Sequence, residues 1–233
     1  MTIRRLTRDE IARAVAQDIP DGSYVNLGIG IPTLVAKHLP DDREIVLHSE
    51  NGIVGMRMDT NPQRADTSLL NAGKQQIVLL AGASIIDHTI SFAMMRGGHI
   101  DITVLGAFQV SETGDIANWD TGDANSIPAV GGAMDLVVGA RRVIAVMEHI
   151  TKEGAPKLVD RCSYPLTGMN VVDTIYTDLA ILDVRAEGFV VRAVVDGLSL
   201  DELQKKTGAR LHASGGEIKL YAPQPTKGSP VLG

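Results

Sequence analysis

The chain has 233 residues with a formal charge of −6, and 44% of them are hydrophobic but only 3% aromatic. That length suits one α/β domain with an aliphatic core, able to bury about 70% of the surface its unfolded chain exposes. The acidic balance, with no dense run of Lys or Arg, excludes the basic stripe of a nucleic-acid-binding surface.

Thr7-Arg8-Asp9-Glu10 is a capping box, and Ile11, Ala14, Val15 and Ile19 continue it at helical spacing. Tyr24 to Leu27 reads as a short strand ended by Gly28-Ile29-Gly30. Pro32 suits the first turn of a second helix reaching about His38, since its missing N–H costs nothing there. Glu44 to His48 is a further strand that leads straight into Ser49-Glu50-Asn51-Gly52. The runs Ile77–Leu80, Ile102–Leu105, Leu136–Val138 and Val143–Val146 are short, apolar and bounded by Gly or charge, which predicts buried strands. Ser91–Met95 is compatible with a helix between them.

Leu179–Val184 and Phe189–Val195, split by Glu187-Gly188, predict a hairpin, and Ser199-Leu200-Asp201-Glu202 is a second capping box opening a C-terminal helix. Residues 223–233, with three prolines and two glycines, predict a loose tail behind a single domain over residues 1–222. The alternation of strands and helices predicts an α/β layered fold with a largely parallel sheet. No stretch reaches the ~18 uninterrupted apolar residues that span a bilayer, and MTIRRLTRDEIARAV lacks the apolar core of a secretory signal. Cys162 stands alone, which excludes an internal disulfide and fits a reducing compartment, so a cytoplasmic location is expected.

Four short motifs could carry chemistry. Ser49-Glu50-Asn51-Gly52 lies at a strand end, where α/β sheets expose reactive groups, and Gly52 permits a turn that lifts Glu50 clear of the sheet. The same residues equally suit an ordinary Asn-Gly turn with a solvated Glu50. Gly28 and Gly30 follow a strand and precede a helix, like the start of a dinucleotide fingerprint with Glu50 near the place of its ribose-binding acid. Thr33 occupies the position of the third glycine, which weakens that reading. Gly131-Gly132-Ala133 could bring backbone N–H groups to a developing oxyanion, or simply join two elements where bulk does not fit. Arg96-Gly97-Gly98-His99 reads as a structural turn. The six histidines are scattered, with neither H-E-x-x-H nor paired cysteines, so no metal site is expected. Neither G-x-S-x-G nor a P-loop occurs.

Together the stretches NLGIGIPTLVA (26–36), LHSENGIVG (47–55), LNAGKQ (70–75), SFAMMRGGHIDITVLGAFQVSETGDIANW (91–119), IPAVGGAMDLVVGARRV (127–143) and YPLTG (164–168) resemble the β subunits of class I, or 3-oxoacid, CoA-transferases. The likeness spans most of residues 5–205. It implies a three-layer α/β/α fold, with Glu50 as the nucleophile of a ping-pong reaction through a glutamyl-CoA thioester. It also implies that the Asn26 side chain and the Gly131 N–H serve as oxyanion donors, with Gly28, Gly30, Asn51, Gly52, Gly132 and Ala133 around the substrate. The implied partner is a CoA-transferase α subunit in an α2β2 assembly, and CoA enters as a substrate thioester, so no cofactor is expected. The implied donor is succinyl-CoA and the acceptor a 3-oxoacid, 3-oxoadipate ahead of acetoacetate. Where many relatives continue SENG-x-x-G with Gly-Pro, this chain has Met56-Arg57-Met58-Asp59. A diacid acceptor needs a partner for its distal carboxylate, and Arg57 and Arg64 are the nearest cations in sequence, with a solvated surface position as the plainer reading. The rival readings are a sugar-phosphate isomerase or sensor that binds phosphate at Gly28–Gly30, and a noncatalytic scaffold subunit.

Overall fold

The Thr7 capping box closes on both sides. Thr7 Oγ1 accepts from the Glu10 N–H at 3.2 Å, and Glu10 Oε2 accepts from the Thr7 N–H at 2.9 Å. These bonds satisfy two N–H groups that a helix start leaves unpaired, and α1 (Arg8–Asp18) follows with Ile11 and Val15 fully buried. The computed structural model describes residues 3–59, 68–123, 127–215 and 218–222, so the expected tail 223–233 and Arg64 lie outside the described residues.

After α1 the chain forms β1 (Tyr24–Leu27), α2 (Ile31–Val35), β2 (Val46–Ser49), β3 (Ile53–Met58), β4 (Ile77–Ile85), α3 (His88–Arg96) and β5 (Ile102–Gly106). Next come β6 (Gln109–Ser111), β7 (Ile116–Ala117), α4 (Ala133–Gly139), β8 (Arg142–Val146), β9 (Leu158–Val159), β10 (Thr174–Tyr176), β11 (Ala180–Arg185) and β12 (Gly188–Val194). The last described elements are α5 (Leu200–Gln204), β13 (Leu211–Ala213) and β14 (Lys219–Leu220).

The main sheet runs β13-β12-β11-β10-β8-β5-β1-β2-β3-β4, with β14 also on β12. Its centre, β10-β8-β5-β1-β2, is parallel throughout, while β2-β3-β4 and β10-β11-β12 pair antiparallel. Strands β6, β7 and β9 form a small separate sheet.

The crossover from β1 through α2 to β2 steps one way along the sheet, and the crossover from β5 through α4 to β8 steps the other way. Parallel crossovers are right-handed in nearly all proteins, so opposite steps put α2 and α4 on opposite faces. Helix α1 packs on α2 and α3 on α4, which completes an α/β/α sandwich. The order reverses between β1 and β5. Just beyond the carboxyl ends of such a pair the chains diverge and leave a crevice.

Two expected strands turn out differently. Leu136–Val138, read as a strand, belongs to helix α4, with Leu136 and Val137 buried and Val138 76% exposed. Three apolar residues do not distinguish a strand from one turn of helix, and Gly131-Gly132 releases the chain directly into a helical turn. Ile77–Leu80 is a strand but not a buried one. It opens β4, an edge strand in which only Ile77 is buried and Val78, Leu79 and Leu80 are 37–39% exposed. The antiparallel return β3 is not among the strands that the sequence pattern predicts. The hairpin β11–β12 and the Ser199 capping box of α5 form as expected.

Candidate active site

β2 and β3 are joined by the three residues Glu50-Asn51-Gly52, and the Gly52 N–H closes the loop onto the Ser49 carbonyl at 2.9 Å. The third residue of such a loop takes positive φ, and Gly52 sits at +98°. A Cβ there would also overlap the Ile86 carbonyl, because the Ile86 N–H bonds the Gly52 carbonyl at 2.8 Å. Only glycine meets both demands. Two more bonds tether the loop: Asn51 Nδ2 donates to the Leu70 carbonyl at 2.8 Å, and the Ala72 N–H donates to Ser49 Oγ at 2.9 Å. Glu50 is thus held at the tip of a rigid turn, half-buried.

Its carboxylate lies against Gly131-Gly132, more than 80 residues further along the chain. Oε1 is 3.8 Å from where a Gly131 Cβ would stand, and a Cβ on Gly132 would overlap Oε2 and come 3.2 Å from Phe92 Cζ. The close approach, not backbone freedom, makes residue 132 a glycine. Among the described residues neither the Gly131 nor the Gly132 N–H has a backbone acceptor.

Between these groups lies a cavity of about 550 Å³. Its walls are the carboxyl ends of β1, β2, β5 and β8, represented by Asn26–Gly30, Ser49–Glu50, Leu105–Phe108 and Val146–Glu148, with Ala129–Ala133 across from Glu50. Of the residues singled out from the sequence, Asn26, Gly28, Gly30, Glu50, Gly131, Gly132 and Ala133 all line it. Asn51 and Gly52 are not in its wall and shape the turn instead. Along β3 the alternation of side chains sends Met56 and Met58 into the cavity and Arg57 away from it. Arg57 donates to the Ile45 carbonyl at 3.0 Å and to the Met56 carbonyl at 3.2 Å.

Beneath the cavity floor is a polar cluster that sequence reasoning missed. Asn26 is in register with His48 on β2 and with Thr103 on β5, so the three side chains share one face of the sheet. All three are buried, at 4%, 1% and 0% exposure respectively. Asn26 Nδ2 lies 3.1 Å from His48 Nδ1 and 3.3 Å from the His48 carbonyl, and His48 Nε2 lies 2.9 Å from Ser91 Oγ on α3. A carbonyl only accepts, so the Asn26 atom facing it is the NH2 group, and His48 Nδ1 must be an acceptor. His48 is therefore protonated on Nε2, which donates to Ser91. Burial lowers its pKa to about 4, and the ring is neutral near pH 7. The only hint in the sequence was the position of His48 at the end of the predicted strand, two residues before Glu50.

Among the described residues no group of His, Cys, Asp and Glu is placed to hold a metal ion, and no helix is long and apolar enough to cross a membrane. The Cys162 thiol is pushed up to about 11, chiefly by burial, so it stays protonated and unreactive near neutrality.

The order reversal, the glutamate turn and the facing Gly-Gly turn coincide with the match of residues 8–206 to the Coenzyme A transferase family model. The chain belongs to the coenzyme A transferase family. It is 57% identical over 212 residues to a 3-oxoadipate CoA-transferase subunit of Pseudomonas putida, covering 91% of this chain and 99% of that one. It is 54% identical over 211 residues to the subunit of the same name from Acinetobacter baylyi, covering 91% and 97% respectively. The fold matches the crystal structure of the acyl-CoA transferase YdiF of Escherichia coli O157:H7 with a TM-score of 0.71 at 19% identity, over 94% of this chain. The chain spans 44% of the length of that larger protein. This CoA-transferase family chain is an enzyme chain, which removes the dinucleotide-binding, isomerase and sensor readings.

Proposed function

We propose that the chain is the nucleophile-bearing subunit of a two-subunit 3-oxoacid CoA-transferase, with Glu50 forming the covalent bond to CoA. One observation supports this above the others: the Glu50 carboxylate lies in the cavity, pressed against Gly131-Gly132, on a turn held by four hydrogen bonds. A carboxylate is a poor nucleophile in water, and such a site orients it and removes part of its hydration.

The reaction follows from the chemistry of a carboxylate. Glu50 attacks the carbonyl of an acyl-CoA, giving a mixed anhydride and CoA thiolate. The thiolate then attacks the glutamyl carbonyl, releasing the free acid and leaving a γ-glutamyl thioester. An acceptor carboxylate reverses both steps, leaves as its own CoA thioester and restores Glu50. A serine would form an oxygen ester at the covalent stage and lose the energy of the donor thioester. Two oxyanions arise in turn, and the Gly131 N–H and the Asn26 amide serve as their donors.

The acceptor is 3-oxoadipate, on the strength of the relatives that carry the 3-oxoadipate CoA-transferase name, and the donor is succinyl-CoA, as the likeness to 3-oxoacid CoA-transferases implies. The partner is the matching α-type subunit in an α2β2 complex in a reducing cytoplasm, and CoA is a substrate with no resident cofactor. Arg57 has no part in reading the distal carboxylate, since it faces away from the cavity. Among the described residues the cations in the cavity wall are Arg8 and Lys157, beside Glu148 at the far end. From β2 to β8 is three strand spacings, about 14 Å. The carboxyl carbons of a six-carbon diacid are only ~6 Å apart at ordinary bond lengths. None of these described cations therefore meets the distal carboxylate, which leaves Arg64 or a cation of the partner subunit.

Intact-mass measurement of the two-subunit complex after incubation with succinyl-CoA tests the mechanism. A CoA adduct on this chain, mapped by borohydride trapping to residues 44–57, is the expected result, and an unmodified chain rejects it. Comparing kcat/KM for 3-oxoadipate and acetoacetate tests the acceptor. A preference for acetoacetate overturns that choice alone.

A further inference from the structure

A parallel sheet covered on both faces is normally a run of aliphatic side chains, because an unpaired polar group inside it costs free energy. Here Thr103, Asn26 and His48 interrupt three adjacent central strands at one level, next to the carboxyl ends that build the cavity. Only Asn26 of the three lines the cavity; His48 and Ser91 are 1% and 0% exposed and do not. They therefore cannot touch a substrate directly. They can act only through what they hold.

What they hold is the direction of one amide. A primary amide offers two N–H donors in a plane. His48 Nδ1 takes one of them at 3.1 Å, which fixes the rotation of the Asn26 side chain. The second N–H reaches the His48 carbonyl at 3.3 Å, a longer bond that a nearby anion can outbid. For His48 to accept, its Nδ1 must carry no proton. Ser91 secures this by receiving the Nε2 proton at 2.9 Å from α3. The chain Ser91–His48–Asn26 thus links helix α3 to the cavity floor through one tautomer.

Resting on the reading of Asn26 as an oxyanion donor, we propose that His48 is a positioning residue for catalysis: it aims the second, more weakly held N–H of Asn26 so that the developing oxyanion can take it from the His48 carbonyl, and Ser91 holds His48 in the tautomer that allows this. Neither residue bonds to substrate. Their removal should lower the rate of the chemical step and leave substrate binding intact, because the aimed N–H matters only when charge develops.

The experiment measures kcat and KM of the two-subunit enzyme carrying His48→Asn, His48→Gln, Ser91→Ala, Asn26→Ala or Asn26→Ala combined with His48→Gln. An asparagine places its Oδ1 close to where Nδ1 stood and keeps the acceptor for Asn26; a glutamine reaches toward Ser91 and loses that acceptor. Expected for His48→Gln is a fall in kcat of roughly 10- to 100-fold with KM within about twofold, and for His48→Asn a recovery to within about fivefold of the parent. Ser91→Ala, the mildest change, should lower kcat about three- to tenfold. In the Asn26→Ala background His48→Gln should cost nothing further, since a residue that acts only through another is silent once that one is gone.

Equal kcat for the Asn and Gln variants, additive losses in the double variant, or a change mainly in KM would each overturn the proposal. Melting temperatures separate a folding defect from a positioning one: losses that track stability across the series reject it as well. If Asn26→Ala itself leaves kcat unchanged, the oxyanion reading fails and this inference with it. If Asn26→Ala is slow while the His48 and Ser91 variants are fast, this inference alone falls.

Discussion

Two buried histidines in this molecule have nearly the same chemistry and different consequences. His48 and His149 are both almost fully enclosed, both neutral, and both protonated on Nε2. His149 Nε2 lies 2.9 Å from Thr207 Oγ1, which spends its own proton on the Leu203 carbonyl, so Nε2 must be the donor. On its other side Nδ1 lies 3.0 Å from Thr177 Oγ1, which also contacts the Ala180 carbonyl at 3.1 Å. That network closes on the Thr177 hydroxyl on one side and the Leu203 carbonyl on the other, and joins the segment after β8, the β10–β11 turn and the turn after α5. The His48 network ends on an amide that faces an open cavity. The difference teaches that a buried, satisfied imidazole is not in itself a functional sign. What matters is whether the last group in its chain still has something left to offer.

The comparison breaks first at the site. Glu50→Gln should lower turnover by at least roughly 10⁴ while leaving complex formation and melting temperature unchanged, as removal of a nucleophile does elsewhere. Steady-state kinetics beside thermal unfolding decides it. Substantial residual turnover would make this chain the scaffold subunit.

Both histidines should next make the protein sensitive to acid. Burial holds the folded-state pKa at about 4 for His48 and about 3 for His149, against an ordinary 6.5. Below pH 6.5 the unfolded chain takes up protons that the folded chain refuses. Stability is thus complete above that value and falls as pH drops, levelling off near 4 and 3 respectively. At most this amounts to roughly 3 kcal/mol for His48 and roughly 5 kcal/mol for His149. Unfolding in denaturant across this window, compared with His149→Asn, should show a shallower pH slope in the variant; identical slopes would mean His149 is protonated when folded.

Thr207→Val sharpens the contrast from the other side. It leaves the His149 Nε2–H buried without an acceptor and should cost about 1–3 kcal/mol of stability. The kcat of the assembled enzyme should not move, and a slower enzyme would show that this network too reaches the site.

The smallest effect expected is that of Gly132→Ala. Gly132 has φ −84°, which any residue adopts, so stability should hold within about 0.5 kcal/mol. The new methyl displaces the Glu50 carboxylate and should lower kcat about tenfold, since small misplacements of reacting groups are costly. If melting temperature falls and kcat does not, Gly132 is there for packing alone.

Much of this was legible in the chain, because some features are local. The capping boxes at Thr7 and Ser199 need only four residues, and both form. The Glu50 turn was readable because Asn-Gly after a strand has few other uses, and the likeness to CoA-transferases pointed to Glu50, Asn26 and Gly131 together. The helix at Leu136–Val138 was not legible, since three apolar residues fit either period. The exposed edge strand at Val78–Leu80 was not either, because burial is set by what lies alongside.

By itself, then, the sequence determined the α/β class, the strand that presents Glu50, the glycine its turn requires and the family. Tertiary structure alone decided that Gly132 must be small because Glu50 lies on it, that Arg57 points away while Met56 and Met58 point in, and that His48 rather than any other histidine lies beneath Asn26. The reason is physical. Capping and turn chemistry are settled among residues a few bonds apart, whereas register across a parallel sheet aligns Thr103, Asn26 and His48 only after two crossovers have closed in opposite directions.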